Sequence, residues 1–364
     1  MFNLRDSKER TNISNIEENK SSDVAKNTQK KSPIISEDKY DCYYNGLETI
    51  NDQKDDNFRY DDYKNYYRIF INDHIINRYQ ILKLLGKGAF GNVILGFDHK
   101  NNNLNAIKII RNEKRFKKQV INEISILNTL DNPNIISFDK EFMFKNHVCL
   151  VFEYFGSDLY NNYIKKKFEF SRQDIKSISR QILLGLDYIH KKNIIHCDLK
   201  PKNIIINNDK KIKLIDFGSS VKMDHSFQSN YFYIQSRWYR SPDVILELNF
   251  NTKIDIWSFG CILYELIALK PLFAGKSSAE QIYLYHDALG EMPEIYLKQT
   301  SYFNYFYNNH HIKKSFTKRP NNLSYVLNIF PKEYQLILHS LILDPNTRPN
   351  AEELLHNEYF IDME

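Results

Sequence analysis

The stretch "IIHCDLKPKNIII" occupies residues 194 to 206, and "IDFGSS" follows at 215 to 220. Together they set Asp198, Lys200, Asn203 and Asp216 on two loops, each preceded by a short apolar run that reads as a strand. Two carboxylates and an amide so spaced can hold a hard divalent cation through oxygen ligands. They still leave one carboxylate to orient a hydroxyl nucleophile. Packing gives no reason for such a set, since charged groups are costly inside a protein unless paired.

Two further constellations lie upstream. "LGKGAFGNV" at 85 to 93 carries Gly86, Gly88 and Gly91. A GxGxxG also occurs in plain hairpins and in dinucleotide turns, but a dinucleotide site wants a helix directly after the loop. Here "NVILGF" reads as a strand, so the loop resembles a hairpin whose backbone N–H groups could lie over phosphate oxygens. Lys108 stands in the apolar strand "NAIKII", where an ammonium needs either water or an anionic partner. Glu123 on the helix "QVINEISIL" is a candidate partner, with Val120, Ile121, Ile124 and Leu127 as the apolar face. Each residue alone is more often a solvated surface charge.

These groups need a frame. Short β-branched runs alternate with turn residues from Tyr79 to about Phe155, interrupted by one helical segment near 114 to 130. From Asp158 onward a helical period dominates, as in "RQDIKSISRQILLGLDYIH" and "IDIWSFGCILYELIAL". A sheet with one helix followed by a mainly helical part is an α+β chain.

The 364 residues suffice for one large two-lobed domain or two ordinary ones, and 42% hydrophobic content is globular. A formal charge of +5 from 50 basic and 45 acidic residues gives no warrant for nucleic-acid binding. Cys42, Cys149, Cys197 and Cys261 show no metal-ligand spacing, which favours a reducing compartment. The N-terminus is charged where a signal peptide is apolar, and no apolar run of about 18 residues occurs. A protein without a membrane segment, in cytoplasm or nucleus and acting as a monomer, is expected. Residues 1–40, rich in charge, Asn and Ser, read as disordered. Residues 41–78, dense in tyrosine, read as an ordered extension lying on the domain that follows.

Taken in order, "GKGAFGNV", "AIK", the helix glutamate, "HCDLKPKN", "DFG", "RSPD" and "DIWSFG" resemble the motif set of eukaryotic protein kinases. The resemblance spans 79–360 and implies a bilobal fold, with a β-rich N-lobe at 79–155, a helical C-lobe at 156–360, and ATP and Mg²⁺ in the cleft. It assigns Gly86, Gly88 and Gly91 to the phosphates, and Lys108, paired with Glu123, to the α- and β-phosphates. Asp198 becomes the catalytic base, Lys200 the γ-phosphate partner, and Asn203 and Asp216 the metal ligands. Adenine would lie between Leu85, Val93 and Ala106 above and Ile205 below, with Phe152 behind and backbone groups of Glu153 to Phe155 at its edge. Asp255 would brace the catalytic loop.

Within that family, "HCD", "DFGSS" and "YFYIQSRWYR" are similar to the dual-specificity tyrosine-regulated kinases. The extension "YDDYKNYYRIFINDHIINRYQIL", with "RNEKRF" and "FKNHVCLVFE", resembles their class II branch, while "RSPD" leans towards the Yak branch. The resemblance implies phosphorylation of protein Ser/Thr before proline, and autophosphorylation of Tyr233. Cys197 replaces the arginine that clamps an activation-loop phosphate in many kinases, so Arg237 and Arg240 are expected to hold one on Tyr233. Tyr231 is left open.

Three positions depart from the pattern. Lys202 replaces a glutamate expected to attract upstream basic residues, which puts that preference in doubt. Asp243 is one methylene shorter than the usual glutamate, so its pair with Arg348 is expected to be looser. The insert at about 295–322 mixes aromatic and basic residues, and a packed insert is expected over an RNA-binding one. An ATP-binding scaffold without catalysis would lack Lys108, Asp198 or Asp216, and all three are present.

Overall fold

The computed structural model describes residues 60–223, 234–294, 298–300, 307–308, 311–312 and 323–363. The segment 1–40, the pair Tyr231 and Tyr233, and most of the insert lie outside the described residues.

Six antiparallel strands form the first layer: β1 (His74–Ile75), β2 (Tyr79–Lys87), β3 (Gly91–Asp98), β4 (Asn103–Ile110), β5 (Phe138–Phe144) and β6 (His147–Glu153), in the order β1-β2-β3-β4-β6-β5. The period of two sorts β4 cleanly. Ile107 and Ile109 join Tyr79, Ile81, Ile94 and Val151 in a core on one face, which Tyr67 and Ile75 of the preceding segment help to close. Ala106 and Lys108 therefore point to the opposite face, where Lys108 lies in register with Val93 and Leu150.

The helix α1 (Lys117–Leu127) packs beside this sheet with Val120, Glu123, Ile124, Ile126 and Leu127 buried. Ile121 is 48% exposed, contrary to the expectation that it shares the apolar face. At about 100° per residue it is turned away from its neighbour Val120, and the buried stripe runs on through Ile126 instead.

The larger, helical part begins with β7 (Ser157–Asp158) and α2 (Arg172–Lys191), whose Ser171 cap accepts the N–H of Asp174. Two small antiparallel sheets follow: β8 (Ile194–Ile195) with β11 (Val221–Lys222), and β9 (Ile204–Ile206) with β10 (Ile212–Leu214) and β7. They bracket the two polar loops. After α3 (Pro242–Ile245) comes α4 (Lys253–Ala268), buried from Ile254 to Leu266 and apolar nearly all round, which makes it the central helix. Then α5 (Ser278–Leu289), α6 (Leu323–Ile329), α7 (Pro331–Ser340) and α8 (Ala351–Leu355) complete the described chain, with a two-residue ladder between Tyr307–Asn308 and His311–Ile312. Among the described residues no helix is long and apolar enough to cross a membrane.

Arg348 and Asp243 meet at 2.7 Å with both side chains essentially buried, so the shorter acid does not loosen the pair. The guanidinium is also held by the carbonyls of Ile342 and Lys253, at 2.8 and 3.1 Å. Those bonds bring it to the carboxylate and make up for the missing methylene.

Candidate active site

The face of β4 that carries Lys108 looks towards the second polar loop. Lys108 Nζ donates to Glu123 Oε1 at 2.7 Å and to Asp216 Oδ1 at 2.8 Å. One ammonium thus joins the sheet, α1 and a loop of the helical part. Burial works against its charge, but the two carboxylates outweigh that, and the lysine pKa is raised. Burial pushes the Glu123 carboxyl up, aided by Asp216 and opposed by Lys108. Burial would raise Asp216 as well, yet Lys108, with His196 and Lys200 behind it, holds that carboxyl below its ordinary range.

Asp216 has φ of 66°, a left-handed conformation uncommon outside glycine, and Cys197 one of 63°. Something must hold such backbone, and for the first loop it is Asp255 in the opening turn of α4. Its carboxylate accepts the N–H of His196 at 2.8 Å and of Cys197 at 3.1 Å, while His190 Nε2 lies 3.0 Å away. His196 in turn reaches the Ile215 carbonyl at 3.1 Å, tying the two polar loops together.

Around Asp198 the bonds converge. Lys200 Nζ donates to its Oδ2 at 2.6 Å, and Asn203 Nδ2 to its backbone carbonyl at 2.8 Å. Since the Asn203 amide N–H groups face Asp198, its Oδ1 is left as an oxygen donor on the other side. That oxygen and the Asp216 carboxylate are hard ligands suited to Mg²⁺, so the residues present fit the ion.

Sequence reasoning missed two members. Ser236 Oγ donates to Asp198 Oδ1 at 2.8 Å and accepts from Lys200 Nζ at 3.0 Å, completing a ring of three side chains. A small serine beside an arginine carries no signal for that role. Gln235 is buried at φ 61°, its N–H bonded to the Cys197 carbonyl and its amide to Ile254 and Ser258. A polar residue within an aromatic run was its only trace.

The remaining candidates divide. Leu85 is 39% exposed at the rim, while Ala106, in register with Phe152, and Ile205 are partly buried. Phe152 is buried and tilts against Phe138 at 5.5 Å. The Glu153 side chain accepts from Lys213 Nζ and the Ser137 N–H, both at 2.8 Å, and Lys213 also lies 5.1 Å from the Phe155 ring centre. An added Cβ would fall 2.1 Å from the Ile109 carbonyl at Gly91, but at Gly86 it would meet nothing within 4 Å. Arg240 is buried with bonds to the carbonyls of Ile234 and Gln235, whereas the exposed Arg237 donates to the Lys276 carbonyl at 2.9 Å.

The chain has relatives among known proteins. Residues 79–360 match the family model described as the protein kinase domain. The chain is similar to dual specificity tyrosine-phosphorylation-regulated kinase 3 of Rattus norvegicus, 44% identical over 68% of this chain and 44% of that protein. It is also similar to dual specificity tyrosine-phosphorylation-regulated kinase 2 of Drosophila melanogaster, 37% identical over 83% of this chain and 44% of that protein. The kinase 4 of the same name from Homo sapiens is 36% identical over 82% of this chain and 61% of its own length. The chain therefore spans between two fifths and two thirds of the length of these curated relatives.

Proposed function

The chain belongs to the protein kinase family, with dual-specificity tyrosine-phosphorylation-regulated kinases as its relatives, and from that premise we propose that it transfers the γ-phosphoryl group of ATP to Ser or Thr of protein substrates. The observation that carries this reading is Lys108 held between Glu123 and Asp216, at 2.7 and 2.8 Å, next to the Asp198 loop.

Phosphoryl transfer asks a protein mainly for positioning and charge stabilisation. Lys108, oriented by Glu123, is the donor that the α- and β-phosphates would take up. Asp198 accepts hydrogen bonds from Lys200 and Ser236, so its carboxylate is aimed and ready to orient a substrate hydroxyl. Lys200 would then meet the charge that develops on the transferred group. Asn203 and Asp216 would hold Mg²⁺, which supplies neutralisation of the phosphate charge when bound. Gly86, Gly88 and Gly91 would cover the phosphates, and Leu85, Val93, Ala106 and Ile205 would enclose the adenine.

Two finer features belong to the same proposal: selection of Ser or Thr followed by proline, and autophosphorylation of Tyr233, with Arg237 and Arg240 as phosphate partners. Cys197 supports the second, because a buried neutral thiol offers an activation-loop phosphate no clamp. Mass spectrometry of the protein produced alone, beside Asp216→Asn, tests it. Phosphate on Tyr233 in the wild type and none in the variant is expected; equal phosphate on both would overturn it. Comparing Ser-Pro with Ser-Ala peptides tests the proline preference, which predicts faster turnover of the first.

A further inference from the structure

Beside Asp198 opens a cavity of about 470 Å³ lined by Tyr160, Lys200, Lys202, Arg237, Trp238 and their neighbours Pro201, Ser236 and Tyr239. Its charged lining is wholly basic: three cations and, among the described residues, no carboxylate. Asp198, the acid adjoining it, is bonded to Lys200 at 2.6 Å and Ser236 at 2.8 Å. Glu265 lies behind the Tyr239 hydroxyl, which donates to it at 2.5 Å, and is buried away from the cavity.

The three cations are not equivalent. Lys200 is committed to Asp198, and Arg237, oriented by the Lys276 carbonyl at 2.9 Å, is already assigned to a phosphate on Tyr233, so the subsite rests on Lys202. Lys202 is exposed, with its ammonium 5.0 Å from the Tyr160 ring centre, a weak contact that leaves its charge to the cavity. A peptide presenting a hydroxyl to Asp198 has to run across this surface. An arginine there would face like charge on every charged side chain of the wall, whereas a carboxylate would gain ion pairs, and aromatic walls at Tyr160 and Trp238 lower the exposure of such pairs to water.

We propose that this cavity is an acidic-residue subsite, in which Lys202 selects substrates carrying Asp or Glu within a few residues of the phosphorylated hydroxyl. The inference rests on the kinase reading and names its substrate class. Charge at Lys202 both attracts acidic peptides and repels basic ones, so selectivity rather than turnover should depend on it.

The test separates binding from turnover. Fluorescent Ser-Pro peptides bearing Asp, Ala or Arg at successive positions either side of the serine are titrated into the full chain with Mg²⁺ and a non-hydrolysable ATP analogue, and anisotropy gives Kd. At one or more positions the Asp peptide should bind about three- to tenfold more tightly than the Ala peptide, and Arg more weakly, with the difference shrinking at high salt. In Lys202→Glu the order should invert. A wild type that prefers Arg or shows no order, or an order that K202E leaves unchanged, overturns the subsite. Loss of turnover with the binding order intact would count against the catalytic reading alone.

Discussion

The hydroxyl of Tyr66 donates to the backbone carbonyl of Gly88 at 2.8 Å, joining the segment ahead of the sheet to the glycine hairpin proposed to cover the phosphates. The Tyr66 ring is itself fixed, with Lys87 and Arg111 lying 4.0 and 4.5 Å from its centre. Nearby, the buried His147 ties that segment down, its two ring nitrogens 2.7 Å from Asp61 Oδ1 and 2.6 Å from the Ile110 carbonyl. If the hydroxyl holds the hairpin in place, Tyr66→Phe removes one hydrogen bond and leaves the packing. A net bond of about 1 kcal/mol corresponds to a KM for ATP raised roughly two- to fivefold, with kcat little altered. Steady-state kinetics at varied ATP would show this, and an unchanged KM would detach the segment from nucleotide binding.

The three glycines of the hairpin look alike in sequence but differ in space. Gly91→Ala would push a methyl against the Ile109 backbone, 2.1 Å away, and nothing there can yield cheaply. It should lower stability by about 1–3 kcal/mol. Gly86→Ala meets open space and should stay within about 0.5 kcal/mol of the wild type. Denaturant unfolding of both variants decides, and equal losses would refute the distinction.

Glu265 is buried in α4 with Oε2 accepting from Tyr239 and Oε1 without a partner, and burial raises its pKa from 4.5 to about 7. The folded state thus binds a proton more readily than the unfolded chain. This group's effect on stability becomes unfavourable as pH rises from about 4.5 to about 7 and is constant above. Glu265→Gln keeps an acceptor for Tyr239 without the charge. It should gain up to about 2–3 kcal/mol on the wild type at pH 8, and the gain should vanish near pH 4. Thermal unfolding across that range would show it, and a pH-independent difference would exclude the titration.

Arg348 meets Asp243 in a fully buried pair, and removing one partner leaves the other charge in the core. Arg348→Ala should cost about 3–5 kcal/mol of unfolding free energy, read from urea midpoints. A loss under 1 kcal/mol would mean that water reaches Asp243.

Spacing alone grouped Asp198, Lys200 and Asn203, which the structure joins by hydrogen bonds, and named Glu123 as a partner for Lys108, which it meets at 2.7 Å. In β4 the period of two puts Lys108 with Ala106 on one face and Ile107 with Ile109 on the other, a pattern present in "NAIKII" though the sequence reading did not use it. What escaped depends on contacts that sequence distance hides. Ser236 reaches Asp198 across 38 positions and Tyr66 reaches Gly88 across 22, each through loops whose paths no local pattern fixes. The expected looseness of Asp243 with Arg348 failed for a related reason. Chain length was weighed, but the carbonyls that aim the guanidinium were invisible. Ile121 was assigned to the core because it is apolar, whereas its angular position on α1 turns it outwards.

If Lys108, Asp198 and Asp216 form working phosphoryl-transfer machinery, the rate of phosphate transfer from ATP to a Ser-Pro peptide, with Mg²⁺, shows it most directly, measured for the purified wild type and Asp216→Asn, each first shown by its melting curve to be folded. The wild type should turn over, and the variant should lose at least a hundredfold in rate, as expected when a group that stabilises transferring charge is removed. A folded wild type that is stabilised by ATP yet transfers no phosphate, or a variant that retains the wild-type rate, would contradict the account.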